Sequence, residues 1–163
     1  MTTPRKNFIG IVVSGARIRA ALVDEEGRVI ERAEASVSSE NIVPQLATIA
    51  GDLRPALGQV ASIGVAIPGL VNRQTDRVVD SRTLPSTMVE DLHGSLMRAT
   101  GLRVEIENDA NAAAYGEFKV GAGRGSRNLF YMSIGDGIGG AIILDGKLWT
   151  GASGFAGEVG HIT

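Results

Sequence analysis

The first part of the chain alternates short apolar runs with polar turns, a pattern typical of β-strands. Three strands are predicted, over residues 8–13, 18–24 and 29–37. The acidic segment 24–27 ends at a glycine and predicts the hairpin turn between the second strand and the third. The chain is therefore expected to open on a meander of three strands.

The middle of the chain carries apolar side chains at helical spacing. One helix is predicted over residues 41–57, and a second runs from a capping box at 87–90 to a stop at Gly101. The run 61–67 lies between them and ends at a Pro-Gly pair. A short apolar run that ends in this way is typical of a buried parallel strand.

A short strand over residues 103–106 then leads into an alanine-rich helix, which is predicted to begin at Asp109 and to end near Gly121. The predicted order is three strands followed by helix, strand, helix, strand and helix. This order matches the ribonuclease-H-like α/β layout. We therefore expect one lobe of this class over residues 1–122.

Beyond that lobe, the pattern of strands and glycine turns begins again. Strands are predicted over 129–134, 140–144 and 147–149, which repeats the opening meander. Residues 123–163 are thus expected to form the opening strands and glycine-rich loops of a second, incomplete lobe. Strands of this kind would have open edges. We expect the chain to be a fragment of a longer two-lobed protein, or to borrow structure from another chain.

Composition narrows the class of protein. Of 163 residues, 16 are Lys or Arg and 18 are Asp or Glu, and no basic stretch is interleaved with aromatic residues, so nucleic-acid binding is not expected. There is no cysteine, no signal-peptide pattern and no apolar run of membrane-spanning length. A soluble, cytoplasmic protein without membrane partners is therefore expected. The 22 glycines predict tight turns or backbone that approaches a ligand closely.

An amide and an acid stand where the strand over 103–106 gives way to the helix. Asp109 is expected at the N-terminus of this helix, where its carboxylate can act as the N-cap and where the helix macrodipole favours the ionised form. An ionised aspartate that accepts hydrogen bonds can also take a proton from a substrate hydroxyl. A structural cap and a catalytic base are both consistent with the residues alone.

Four stretches resemble, in their order, the ROK family of bacterial sugar kinases and sugar-responsive repressors. They lie at residues 64–71, 107–117, 133–140 and 151–161. The resemblance is to the N-terminal portion of glucokinase-like members, within the actin-like ATPase and sugar-kinase superfamily. It implies two ribonuclease-H-like lobes that flank a cleft, of which this chain holds one and the beginning of the other.

The resemblance also implies roles for individual residues. Asn108 and Asp109 would bind sugar hydroxyls, and Asp109 would be the base that deprotonates the hydroxyl that receives phosphate. Glu158 and His161 would hold further hydroxyls of the sugar. In the family, the histidine at the position of His161 is also a ligand of a structural zinc, together with cysteines that this chain does not contain.

The nucleotide side departs from the family, whose first strand is followed by Asp-x-Gly-Gly-Thr-Lys. Val12 stands in place of the acid and Arg17 in place of the lysine, so magnesium has lost a carboxylate there. In the second glycine loop, Asp136 replaces a threonine, and its charge would oppose a triphosphate. The candidate phosphate-binding residues are Gly15, Arg17, Gly135, Asp136, Gly137 and Gly139.

Two functions follow from these observations. In the first, the chain is the N-terminal part of an ATP-dependent hexose kinase, with Asp109 as the base, Mg-ATP as cofactor and no activity of the fragment by itself. In the second, it is a sugar-binding regulatory ROK protein that has lost phosphoryl transfer. A scaffold without a ligand is the third alternative. The expected partners are a hexose-type sugar, a nucleotide and, in the full-length protein, further copies of itself.

Overall fold

The computed structural model describes residues 6–38, 41–54, 59–73, 75, 77–81, 84–135, 137–152 and 154–161. In chain order, its elements are β1 (Lys6–Ser14), β2 (Arg17–Asp24), β3 (Val29–Ser36), α1 (Ile42–Asp52), β4 (Gln59–Ile67), β5 (Leu70–Asn72), β6 (Arg77–Asp80), α2 (Ser86–Val89), α3 (Leu92–Thr100), β7 (Arg103–Asn108), α4 (Asp109–Val120), β8 (Leu129–Ile134), β9 (Ile138–Leu144), β10 (Lys147–Leu148) and a final 3₁₀ turn, Val159–His161.

The main sheet has five strands in the order β3-β2-β1-β4-β7. The meander β1-β2-β3 is antiparallel, whereas β4 is parallel to β1 and β7 is parallel to β4. This is the ribonuclease-H-like arrangement that the order of elements predicted. Because β4 and β7 run parallel, their carboxyl ends, at Ile67 and Asn108, lie side by side in the sheet.

One face of this sheet forms the core. Along β1, the side chains of Ile9, Ile11 and Val13 are buried, and they alternate with more exposed neighbours. Helices α1 and α3 cover these side chains with their own apolar faces, of which Leu46 and Leu96 are fully buried. Complete burial of a leucine side chain contributes about 1.5–3 kcal/mol to stability. The packing of these side chains therefore holds the two helices against the sheet.

Two predicted helices differ from the observed ones. Helix α1 ends at Asp52, earlier than expected. The helix expected from the capping box at 87–90 is two helices, because the backbone at Asp91 leaves the helical region at φ −129° and ψ 44°. The capping box is not formed, since α2 begins at Ser86 with Pro85 at its N-cap. The stop at Gly101 is confirmed, with φ 67°.

The short hairpin of β5 and β6 was not predicted. It follows the Pro-Gly pair at the end of β4 and joins Leu70–Asn72 to Arg77–Asp80. Gly69 has φ 148°, and a Cβ atom on it would collide with the carbonyl oxygen of Asp80. A glycine is therefore required at this position. The Ser81 hydroxyl donates a hydrogen bond to the carbonyl oxygen of Pro68 at 2.5 Å and closes the base of the hairpin.

Strands β8, β9 and β10 form a separate antiparallel sheet in the order β10-β9-β8. Helix α4 packs on one face of β8 and β9, where Ala110 and Ala114 are buried. The other face is open: Phe130, Met132 and Ile134 all point away from α4 and are more than half exposed. Within the described residues, β8 also lacks a partner at its outer edge.

The helices that the structure describes are all too short or too polar to cross a bilayer.

Candidate functional site

Asn108 joins the last position of β7 to the first turn of α4. Its side-chain oxygen accepts a hydrogen bond from the backbone amide of Asn111 at 3.0 Å, which makes Asn108 the N-cap of the helix. Its side-chain nitrogen donates to the carbonyl oxygen of Gly69 at 3.0 Å. The expectation that Asp109 caps the helix is therefore wrong. The amide of Asn108 can satisfy a donor in α4 and an acceptor after β4 at once, which a carboxylate cannot do.

Asp109 is the first residue of α4, and its carboxylate is half-buried. Burial raises the pKa of this carboxyl group above its ordinary value, although hydrogen bonds from the backbone amides of Ala110, at 2.9 Å, and of Asp109 itself act in the opposite direction. The macrodipole was expected to favour the ionised form, but desolvation outweighs it. Among the described residues, no cation pairs with Asp109. The group is therefore a stronger base than an exposed aspartate.

Glu107 is a third polar residue at this junction, and no role was predicted for it from the sequence. One carboxylate oxygen accepts hydrogen bonds from the backbone amide of Asn108 at 3.0 Å and from the side chain of Asn111 at 3.1 Å. The other oxygen forms an ion pair with Arg73, in the connection after β5. The position of Glu107 could have revealed its role, since Glu107 directly precedes the Asn-Asp pair at the end of a parallel strand.

Asn111 is the most buried polar side chain of this group, with 4% of its surface exposed. Its side-chain nitrogen donates to Glu107, and this contact fixes the orientation of the amide. The side-chain oxygen of Asn111 is buried without a hydrogen-bond partner among the described residues. A buried acceptor of this kind requires a donor from a water molecule or a ligand.

The segment around Glu158 approaches the same region through its glycines. A Cβ atom on Gly157 would lie 2.9 Å from the carbonyl oxygen of Gly140, and one on Gly154 would lie 3.0 Å from that of Val71. Gly157 therefore packs on strand β9. The same strand contacts the first turn of α4, where a Cβ atom on Gly139 would lie 3.1 Å from the Cβ of Ala110. The half-buried Glu158 is thus held in a segment packed between β5 and β9.

His161 ends the final 3₁₀ turn, and its side chain falls outside the part of the chain that the structure describes. Within the described part, no group of three or more acidic or histidine side chains could hold a metal ion. The zinc site implied by the resemblance to the family therefore stays a prediction.

The candidate phosphate-binding residues are divided between two turns. Gly15, in the turn between β1 and β2, has φ 56° and open space around it. Arg17, the first residue of β2, lies 3.9 Å from Glu34 in an exposed ion pair. The backbone amide of Gly135 donates to the carbonyl oxygen of Gly137 at 2.9 Å. Asp136 lies outside the described residues, and Gly139 is packed against α4.

Two side chains near Gly15 bear on the Mg-ATP site that the resemblance to the family implies. The position expected to carry a carboxylate for magnesium is Val12, whose side chain is partly exposed and apolar. The nearby carboxylate of Glu34 is paired with Arg17. Magnesium prefers oxygen ligands, and the side chain of Val12 offers none.

Comparison with known proteins places the chain among sugar kinases and repressors. The sequence model of the ROK family matches residues 8–163. The glucokinase of Streptomyces coelicolor is 37% identical over 156 residues, which cover 94% of this chain and 49% of the relative. The xylose repressor of Bacillus subtilis is 30% identical over 162 residues, which cover 95% of this chain and 42% of the relative.

The fold agrees with a solved structure from the same family. A ROK family glucokinase from Streptomyces griseus, solved in complex with glucose and AMPPNP, superposes with a TM-score of 0.86 at 33% identity, over 96% of this chain and 50% of that chain. The predicted ribonuclease-H-like lobe of the actin-like ATPase and sugar-kinase class is therefore confirmed. The chain spans about half the length of the curated relatives it matches.

Proposed function

The chain belongs to the ROK family, and we propose that it is the sugar-binding, N-terminal part of an ATP-dependent hexose kinase of the glucokinase type. The observation that carries the proposal is the state of Asp109. It is a half-buried carboxylate with a raised pKa and no paired cation among the described residues, at the junction of β7 and α4. The glucokinases among the relatives support a hexose as the substrate.

In this proposal, Asp109 takes the proton from the sugar hydroxyl as the hydroxyl oxygen bonds to the γ-phosphorus of ATP. The bond between that phosphorus and the bridging oxygen breaks, and ADP leaves. Proton transfer to a positioned base of raised pKa is more favourable than transfer to an exposed aspartate. Little other covalent chemistry falls to the protein in phosphoryl transfer, so the placement of Asp109 is the main requirement.

Recognition of the sugar is assigned to the groups around Asp109. The side chain of Asn108 donates one amide hydrogen to Gly69 and accepts one hydrogen bond from Asn111. One amide hydrogen and one lone pair of its oxygen remain for a sugar hydroxyl. Glu158 and His161 are proposed to hold hydroxyls on the side of the site formed by the segment after β10. A sugar that left these polar groups unpaired would be rejected.

A regulatory, sugar-binding ROK protein without phosphoryl transfer is the second candidate function. The turn between β1 and β2 favours it, since Val12 offers no carboxylate to magnesium and Arg17 is paired with Glu34. The similarity to the xylose repressor is consistent with this role. In either case we propose Gly15, Gly135 and the residues around them as the place where phosphate would lie, a cytoplasmic location, and a homo-oligomeric full-length protein.

Calorimetric titration of the 163-residue chain tests the proposal. Glucose is expected to bind to the wild type and to bind at least about tenfold more weakly to Asp109→Asn. The matched control is Asp145→Asn, which changes an exposed aspartate in the turn after β9. Failure of the wild type to bind glucose or mannose at millimolar concentration would contradict both functions. A titration of the full-length protein with Mg-ATP separates them, because binding supports the kinase and its absence supports the regulatory protein.

A further inference from the structure

Glu107 gathers donors from three separate parts of the chain. They are the backbone amide of Asn108 at the end of β7, the side chain of Asn111 in the first turn of α4, and the guanidinium of Arg73 after β5. Only 17% of the Glu107 side chain is exposed, compared with 51% for Arg73. The carboxylate is therefore largely removed from water and is compensated by these three donors.

The ion pair closes a loop of contacts around the start of α4. Asn108 ties the helix to Gly69, directly before β5, and Glu107 ties it to Arg73, directly after β5. The hairpin has strands of only three and four residues, which are marginally stable without tertiary contacts. These two links join the hairpin to the start of α4, and the burial of Val71 in the core holds the rest of β5.

A neighbouring ion pair shows what distinguishes this one. Arg103 and Glu105 also pair, at 2.6 Å, on the same strand as Glu107 and two residues before it. Both side chains are exposed. Within the described residues, the side chain of Glu105 forms hydrogen bonds to Arg103 and none to α4 or to the hairpin. An exposed pair of this kind contributes little to stability or geometry.

We propose that Glu107 is a positioning residue of the sugar site and that Arg73 is its counter-ion. The pair sets the distance between the hairpin that begins after Gly69 and the helix start that carries Asn108 and Asp109. Glu107 acts through these neighbours and does not itself contact the sugar. The proposal rests on the proposed sugar-binding function, and its experiment includes a measurement that does not depend on sugar.

Four variants of the 163-residue chain test the proposal by glucose titration. Glu107→Gln keeps the size of the side chain but loses the charge, and Arg73→Gln removes the counter-ion. Both are expected to weaken glucose binding about tenfold. Arg73→Lys keeps a positive charge and is expected to restore affinity to within about threefold of the wild type. The control Glu105→Gln is expected to leave affinity unchanged.

A spectroscopic measurement accompanies each titration. In the absence of sugar, the backbone amide signal of Asn108 and the side-chain amide signal of Asn111 are expected to shift in Glu107→Gln and Arg73→Gln, and not in Glu105→Gln. Thermal unfolding shows whether each variant is folded. A folded Glu107→Gln or Arg73→Gln protein with wild-type glucose affinity would overturn the proposal, as would a failure of Arg73→Lys to recover affinity.

The two proposals fail in different ways. If the wild type binds no hexose, the sugar-binding function is wrong, and the amide signals alone decide the positioning role. Unshifted Asn108 and Asn111 signals in Arg73→Gln would then overturn it, whereas shifted signals would support control of the helix start by the ion pair.

Discussion

The side chain of Asn108 donates a hydrogen bond to the carbonyl oxygen of Gly69, 3.0 Å away. The same side chain caps α4. One amide therefore links the carboxyl ends of two neighbouring parallel strands and starts the helix that carries Asp109. In open α/β sheets ligands bind beyond these strand ends, so this link lies where a substrate is expected.

Because the Asn108 side chain forms two hydrogen bonds, its removal is expected to lower the free energy of unfolding more than the loss of an ordinary helix cap does. Asn41 caps α1 in the same way, with its oxygen 3.0 Å from the amide of Val43, and provides a matched control. Asn41→Ala is expected to lower the free energy of unfolding by about 1 kcal/mol. Asn108→Ala is expected to cost about 1–3 kcal/mol more, because the carbonyl of Gly69 loses its donor. Urea denaturation measures both, and equal costs would contradict the tertiary role.

Asp109 predicts a particular dependence of stability on pH. Its pKa is raised in the folded protein, so the folded state holds its proton more tightly than the unfolded state, and Asp109 lowers stability as the pH rises through 3.8, its ordinary value, and beyond. Asp109→Asn is therefore expected to unfold at a higher temperature than the wild type at neutral pH, and at a similar temperature at pH 3. Thermal unfolding between these pH values measures the difference.

Asp24 provides the control of opposite sign. Burial acts to raise the pKa of its carboxyl group, but the hydrogen bonds and charge of Arg28 together lower it below its ordinary value of 3.8. Its contribution is present above pH 3.8 and is lost as the pH falls through the lowered pKa. Asp24→Asn should therefore be less stable than the wild type at neutral pH. If Asp109→Asn behaved in the same way, our account of its burial would be incorrect.

The contact between Gly139 and α4 predicts that this glycine is structural. A Cβ atom there would lie 3.1 Å from the Cβ of Ala110 and 2.9 Å from the hydroxyl of Ser133. Gly139→Val is expected to separate β9 from α4 and to cost about 1–3 kcal/mol of unfolding free energy. Gly137→Ala is the control, because a Cβ atom at Gly137 meets nothing within 4 Å. A stable Gly139→Val protein that had lost only nucleotide binding would instead support a role at the phosphate.

The 163-residue chain is expected to have no hexose kinase activity by itself. It spans about half the length of the glucokinases it matches, and the turn at Gly15 lacks a carboxylate for magnesium. Catalysis by positioning requires both reactants to be held. A coupled assay with glucose and Mg-ATP should stay at the level of Asp109→Asn. Turnover clearly above that variant would show the chain to be sufficient.

The sequence predicted β1, β2 and β4 well because each has a regular apolar pattern. The division between α2 and α3 was hidden for the same reason: Met88, Leu92 and Leu96 keep helical spacing across the break at Asp91, and all three are buried. The backbone change is local and leaves the buried face intact. Periodicity alone therefore cannot detect it.

Asn108 and Asp109 lie at the predicted junction of strand and helix, but their contacts were not predicted. Asn108 and Asp109 are adjacent and both are good capping residues, so local propensity does not choose between them. The choice depends on the carbonyl of Gly69, which lies 39 residues earlier in the chain. The role of Glu107 depends likewise on Arg73, in a hairpin too short to show a strand pattern.

The open face of β8 is expected to promote association of the chain in concentrated solution. Phe130, Met132 and Ile134 form an apolar row, and Ile134 is 77% exposed. The row lies on a strand whose outer edge is unpaired within the described residues. Edges of this kind favour pairing between chains. The sedimentation coefficient of the purified chain should therefore increase with concentration, and a lysine in place of Met132 should suppress that increase.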